Sequence, residues 1–304
     1  MQLITDEKQK ELKSHGSFAF PVSVSEEVLS SYERGSFLWH WHPEIELTFV
    51  TDGEISYQVN DQIYRLRAGQ GLFCNSNALH TGHMVEQKNC FYVSITFHPR
   101  IIYGYEGSVL CRNYVKPLTE AGSFGSFCFL PEIPWQKKIL EAMQEIYHLY
   151  FSHGKMYEFY IQQKLSFIWI SLLENEAAEY LEPAGGGGTN RDVERLRAVL
   201  SYVHEHYMEK ITLEEIGEQI GLCRGECCRF FRKHMNQSLF DYILYYRVEK
   251  SLPLLAGNAL SVTEIAEQTG FSSSSYYARV FKDQMNCSPT QYRNGILKES
   301  PEHA

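Results

Sequence analysis

The last third of the chain repeats itself, and this limits the possible folds more than any other feature. Thr212, Glu215, Ile216, Gly217, Gln219 and Gly221 recur as Ser261, Glu264, Ile265, Ala266, Gln268 and Gly270, 49 positions later. Arg229, Phe231, Arg232, Ser238 and Tyr242 recur as Arg279, Phe281, Lys282, Ser288 and Tyr292, now offset by 50, so the second copy has gained one residue in its turn. Thr212 with Glu215, and Ser261 with Glu264, have the spacing of a capping box, in which each side chain satisfies an unpaired backbone N–H at a helix start. Gly221 and Gly270 suit the tight or left-handed backbone that ends such a helix. A second helix is expected to bury Cys227 and Phe231 in one copy and Tyr277 and Phe281 in the other, with Asn236 and Asn286 as left-handed C-caps. Helix, turn and amphipathic helix, over about 212–235 and again over about 261–285, describe two helix-turn-helix motifs. Helical hairpins with no DNA role are the alternative. A shared cap, turn, core and set of basic positions speaks against them.

The second copy is the more specific. Ile265, Ala266, Gly270 and Phe271, then Ser275, Tyr276 and Tyr277, then Arg279, Val280, Phe281 and Lys282, then Ser288, Pro289, Tyr292 and Arg293 follow one signature. With these residues, the segment 191–297 resembles the AraC/XylS family of bacterial transcription regulators. The resemblance implies double-stranded DNA as partner. It places Arg224, Gly225, Cys228 and Arg229, and in the second copy Ser274, Ser275, Ala278 and Arg279, on the groove-facing side of the recognition helices. Arginine suits that role because its planar fork bonds both O6 and N7 of guanine. Arg232, Lys233 and Lys282 are expected on phosphates. RNA polymerase is a further implied partner, and Arg247 is expected to be structural. Two positions depart from the pattern. Cys223 stands where Ser often caps the first recognition helix, and Pro253 is expected to bend or end the joining helix early. Cys223, Cys227 and Cys228 do not make a zinc site, since Cys227 points to the core and its neighbour points elsewhere.

Upstream, the run from Pro183 to Asn190, with four consecutive glycines, reads as a linker (183–190). Before it the pattern is strands, then helices. Glu46 to Tyr57 is rich in β-branched and aromatic residues, Asn60 and Asp61 suit a hairpin turn, Ile63 to Leu66 returns, and Phe91 to Phe97 alternates. From Trp135 the period becomes helical, with Ile139, Met143 and Ile146 on one face and Ile161, Leu165, Ile168 and Leu172 on another. These helices (135–182) either cover the strands or pair two subunits in a homodimer, and amphipathicity does not choose between them.

His40, His42, Glu46 and Gly53, followed by Gly69 and His80, resemble the two sequence segments of the cupin barrel. That fits a sensor domain over 1–134. In metal-dependent cupins the positions of His40, His42, Glu46 and His80 hold one ion, and imidazole with carboxylate suits Mn, Fe, Ni or Zn. His40 and His42 are expected on one strand face. Asn75 and Asn77 replace the usual Pro and Gly, so the loop before His80 is expected to be altered. Three readings stay open for the quartet: a hydrogen-bonded relic, direct binding of a polar effector such as a sugar, or a divalent metal. No other cofactor is expected. Trp39 and Tyr57, with Trp41, Tyr64 and Phe73, are candidate stacking surfaces for an effector.

The fold class expected is α+β: a cupin-like antiparallel β-barrel with a helical hairpin, then an all-α tandem helix-turn-helix. The function expected is a sequence-specific, effector-controlled transcription regulator. A metal-dependent cupin enzyme with a helical appendage is the rival, but an enzyme has no use for paired recognition helices. A DNA-binding protein whose barrel only dimerises is a second rival. Met1 to Lys13 has no apolar segment that would serve as a signal peptide, no run is long enough for a membrane helix, and the eight cysteines are dispersed, so a reduced, cytoplasmic protein is expected. The net charge of −9 argues against nucleic acid only until it is divided along the chain. Residues 1–188 carry 14 Lys+Arg against 22 Asp+Glu, and residues 189–304 carry 14 against 15. The acidity belongs to the sensor.

Overall fold

The computed structural model describes residues 2–6, 9–121, 124–178, 191–235, 237–257 and 259–299; the expected linker at 183–190 and the expected cap at Asn236 lie outside them. The chain divides into two compact units, Met1–Glu194 and Arg195–Ala304.

Among its described residues the first unit holds eight antiparallel strands: β1 (Val22–Val28), β2 (Ser36–His40), β3 (Ile45–Val59), β4 (Gln62–Arg67), β5 (Gly71–Cys74), β6 (His80–Met84), β7 (Cys90–Phe97) and β8 (Ser126–Phe129). β3 serves two sheets. Its first half pairs with β7 and β5, and its second half with β6 and β4. The changeover falls at Asp52 and Gly53, where the register against β7 shifts and Gly53 adopts a φ of 81°. Asn60, with φ of 50°, and Asp61 form the two-residue hairpin between β3 and β4, as expected.

The five-stranded half is buried on both faces, and its alternation sorts the chemistry. Val22, Val24, Ile45, Leu47, Phe49, Val93, Ile95 and Phe97 join a core with two long helices. Ser25, Glu27, Glu46, Ser94 and Thr96 turn the opposite way and line a small, partly open cavity. After the short helices α1 (Arg100–Tyr103) and α2 (Lys116–Thr119) come the two long ones, α3 (Pro134–Ser152) and α4 (Tyr157–Asn175). Ile139, Met143 and Ile146 of α3 and Ile161, Leu165, Ile168 and Leu172 of α4 are fully buried in that core. Each such side chain contributes roughly 1.5–3 kcal/mol. The sheet and the packing of the two helices on each other therefore cover the faces that the periodicity marked. A second apolar stripe on α4, with Phe159, Phe167 and Ile170, stays exposed. Among the described residues no helix is long and apolar enough to cross a membrane.

The second unit is helical. α5 (Arg191–His206) leads into α6 (Leu213–Ile220), α7 (Arg224–Met235), α8 (Leu239–Ala256), α9 (Val262–Gln268), α10 (Ser274–Met285) and α11 (Pro289–Glu299). Both capping boxes form: Glu215 N–H donates to Thr212 Oγ1 at 3.3 Å and Glu264 N–H to Ser261 Oγ at 3.2 Å, each glutamate accepting in return. Gly221 and Gly270 both take left-handed backbone, with φ of 65° and 79°, and Asn286 caps α10 with φ of 56°. Cys227, Phe231, Tyr277 and Phe281 are fully buried.

Of the two outcomes expected at Pro253, a bend or an early end, the early end does not occur. α8 runs through it to Ala256, because only one intrahelical bond is lost and Leu252 and Leu255 on either side are locked in the core. The Cys223 cap is repaired from the other direction, since Glu226 Oε2 accepts from the Cys223 N–H at 3.0 Å. Arg247 is structural as expected: its guanidinium donates to the carbonyls of Tyr207, at 2.7 Å, and Glu209, at 2.6 Å.

Candidate ligand site and DNA-reading surface

β2 and β6 bring the histidines together. His40 lies opposite His80 in the strand register, with ring centroids 4.0 Å apart, and His42 follows just past the end of β2, 5.1 Å from His80. One ligand atom from each of the three lies within 4.8 Å of the others. The three rings share a second feature. Each holds a backbone carbonyl through Nδ1: Leu38 for His40 at 2.9 Å, Glu44 for His42 at 3.2 Å and Ala78 for His80 at 2.9 Å. A carbonyl only accepts, so Nδ1 carries the proton and the neutral ring keeps its lone pair on Nε2. Nε2 of His42 and of His80 is buried without a hydrogen-bond partner. Two buried, unpartnered Nε2 atoms in so tight a cluster, with each ring oriented from behind, suit a cation or a strong donor.

Glu46, the fourth member of the quartet, is partly engaged elsewhere. Its Oε1 accepts from Thr48 Oγ1 at 2.9 Å and Tyr57 OH at 2.8 Å, while Oε2 faces His42 Nε2 at 3.6 Å. Burial and the neighbouring histidines hold His40 well below the usual imidazole range, and burial brings His80 down to about 4. Burial also pulls on His42, but Glu46, backed by Glu11 and Glu44, outweighs it and raises that pKa. For Glu46 burial opposes ionisation, yet the close His42 and His80 rings and the hydrogen bond from Tyr57 leave the carboxyl well below its ordinary range.

The cavity has a volume of about 40 Å³ and is lined by Glu11, His15, Tyr32, His40, Glu46 and Tyr57 among others. A water needs ~10–15 Å³ on the same measure, so the space takes an ion or a few waters. Tyr57 lines it; Trp39, although buried, does not. The β2 register breaks between Phe37 and His40, so both of these face inward where strict alternation would pair Trp39 with Phe37. Phe73 lies on the helix side, packed against Trp169. The loop before His80 accommodates its two asparagines. Asn77 adopts the left-handed backbone, with φ of 59°, and Asn75 ties the loop to the Leu118 and Phe124 carbonyls at 2.8 and 2.7 Å. Sequence reasoning missed Glu11, His15, Tyr32 and Tyr92. No strand pattern links the first two to the barrel.

In the second unit, Arg224, Gly225, Cys228, Arg229, Arg232 and Lys233 are all exposed along α7, while Cys227 is buried between them. On α10, Ser275, Arg279 and Lys282 are exposed, and Ser274 and Ala278 are half-buried. Each helix thus keeps one face in the core and offers the other. Arg224 pairs with Glu214 at 3.2 Å across solvent, an interaction worth little that DNA can replace. Arg279 rests over the Tyr276 ring, 5.1 Å from its centroid, which steadies the guanidinium.

Comparison with known proteins finds a match for each part of the chain. Residues 26–124 match the AraC-like ligand binding domain and residues 216–295 a helix-turn-helix domain. A Bacillus subtilis relative described as an uncharacterized HTH-type transcriptional regulator, YdeC, is 31% identical over 296 residues, covering 95% of this chain and 97% of its own. The chain belongs to the AraC family. It is a transcription regulator with a ligand-binding domain ahead of its DNA-binding domain. This AraC-family chain also shares 31% identity with the Salmonella schwarzengrund transcriptional activator RhaS, over 109 residues that cover 36% of this chain and 39% of that one. Among solved structures, Vibrio cholerae ToxT with a bound unsaturated fatty acid aligns over 93% of this chain and 98% of its own, with a TM-score of 0.42 and 14% identity.

Proposed function

We propose that this regulator reads two successive major-groove segments with α7 and α10, and that a small polar ligand held at His40, His42, Glu46 and His80 controls the binding. Arg229 and Arg279 are the base readers, with Arg224, Gly225, Cys228, Ser274, Ser275 and Ala278 beside them; Arg232, Lys233 and Lys282 hold phosphates. The observation that carries this reading is the repeated arrangement itself. Each recognition helix exposes an arginine at the equivalent place while its opposite face is fully buried. The exposed α4 stripe of Phe159, Phe167 and Ile170 supports a homodimer through the 135–182 helices. The protein then acts by binding in the cytoplasm, without catalysis, and meets RNA polymerase at its promoter.

The cavity bears on the ligand. At about 40 Å³ it takes an ion with its waters, whereas a sugar requires the N-terminal segment to move aside. The test is fluorescence anisotropy on operator and random DNA with Arg279→Ala. Loss of operator affinity beyond the loss on random DNA supports base reading. Equal losses assign Arg279 to a phosphate and refute it.

A further inference from the structure

Ahead of the barrel, the N-terminal segment runs beside Trp41. Glu11 N–H donates to the Trp41 carbonyl at 2.9 Å, and Trp41 N–H returns a bond to the Gln9 carbonyl at 3.0 Å. This docking buries two side chains that no barrel motif contains. Glu11 Oε2 lies 2.8 Å from His15 Nε2, and the two side chains are only 4% and 7% exposed. The His15 ring sits 4.9 Å from the His42 ring. Glu11, His15 and His42 each offer a ligand atom, all within 4.8 Å of one another. This set is separate from the trio of His40, His42 and His80, with which it shares only His42.

We propose that Glu11, His15 and His42 form a binding site for a divalent transition-metal ion, which fastens the N-terminal segment over the barrel cavity. Two imidazoles and one carboxylate, with a fourth position left for water, are a donor set that Zn²⁺ and Co²⁺ accept. A second, independent observation points the same way: His42 Nε2 is buried without a hydrogen-bond partner, and Glu46 Oε2 lies beyond hydrogen-bond range at 3.6 Å. The Glu44 carbonyl at Nδ1 already fixes that ring from behind, as ligating histidines are usually fixed. The ion brings charge that the carboxylates of Glu11, Glu44 and Glu46 around His42 favour. The inference rests on reading the barrel as the ligand-responsive part, and it names a metal as one of its ligands.

The test uses the full-length protein stripped with chelator and titrated with Co²⁺ and Zn²⁺. Co²⁺ reports its own coordination by visible absorption, and hydrogen exchange reports residues 9–16. The expected result is a tetrahedral Co²⁺ spectrum and slower exchange in that segment. Both are expected to be lost in Glu11→Gln/His15→Gln, with affinity down by about tenfold or more, and kept in His40→Gln/His80→Gln. Circular dichroism of each variant guards against misfolding. Metal binding that survives Glu11→Gln/His15→Gln but vanishes in His40→Gln/His80→Gln overturns the proposal in favour of the barrel trio. Wild-type protein that binds neither ion overturns it too. A panel of small organic compounds then tests the broader ligand reading separately, through shifts in Tm and in DNA affinity.

Discussion

Gly221 and Gly270 occupy the same place in the two repeats and take nearly the same backbone, yet alanine should affect them very differently. At Gly221, φ is +65° and an added Cβ meets nothing within 4 Å. Only the left-handed strain remains, about 1–2 kcal/mol, offset by the ~0.4–1 kcal/mol that alanine gains by restricting the unfolded chain. Gly221→Ala is therefore expected to cost under about 1.5 kcal/mol. At Gly270, φ is +79°, and the Cβ would fall against the Tyr207 carbonyl oxygen, with Met208 Cα at 2.9 Å and Arg247 Nε at 3.0 Å. Two of these neighbours are backbone and cannot swing aside. Relief means pushing residues 207–208 away, which breaks the 2.7 Å bond from Arg247 to the Tyr207 carbonyl. A charge-assisted bond of this kind contributes ~1.5–3 kcal/mol, so Gly270→Ala should lose about 3–4 kcal/mol in all. The four tryptophans, Trp39, Trp41, Trp135 and Trp169, all lie in the first unit. Tryptophan emission therefore follows the barrel, while far-UV circular dichroism follows the helices of both units. Urea titrations of the two variants should move the dichroism transition and leave the emission midpoint in place. Equal losses at the two sites would refute the close-approach argument. A Gly270→Ala protein as stable as wild type would refute the geometry itself.

Further outcomes are expected. Lys282→Ala should weaken operator and random DNA alike and shallow the salt dependence of log K by about 0.9, read by anisotropy over a salt series. Tyr57→Phe removes one of the donors to the buried Glu46 and should destabilise the barrel by ~1–3 kcal/mol, read from the emission midpoint in urea. His204 is half-buried and stacks on the Tyr246 ring, 3.8 Å between centroids, and desolvation of the imidazole, with Lys250 nearby, brings its pKa down to about 3. The unfolded histidine titrates near 6.5, so between pH ~6.5 and ~3 the unfolded state holds the extra proton. The second unit should therefore lose stability as pH falls through that window, at up to about 1.4 kcal/mol per pH unit, and His204→Gln should flatten the slope of the dichroism midpoint against pH.

The tandem motif was legible because its signals are local. A capping box spans four residues, a turn glycine acts where it stands, and Cys227 and Phe231 need only the helical period to find the core. The histidine cluster was legible for a related reason, since strand pairing carries His40 to His80 once both lie on strands. The cavity lining was only half legible. The break in β2 puts His40 rather than Trp39 on the inward face with Phe37, and no hydropathy pattern marks a one-residue irregularity. Glu11 and His15 were beyond reach for a different reason. Their position depends on the segment crossing β2 through backbone bonds to Trp41, and any side chain makes such bonds.

The extra residue of the second repeat has a mechanical meaning. α8 joins the two recognition units, and Tyr277 OH reaches from α10 to Ser251 Oγ on α8 at 2.9 Å, so α8 acts as a ruler with the second reading head bolted to its shaft. One residue inserted into such a shaft would turn everything beyond it by about 100° and advance it about 1.5 Å. One base pair of DNA turns by about 35° and advances 3.4 Å. No change in operator length can match that step, so the ruler must keep its length while its attachments vary. The added residue sits in the turn before α10, where Phe271, Ser272 and Ser273 stand for Leu222 and Cys223. There the chain lengthens without rotating either head.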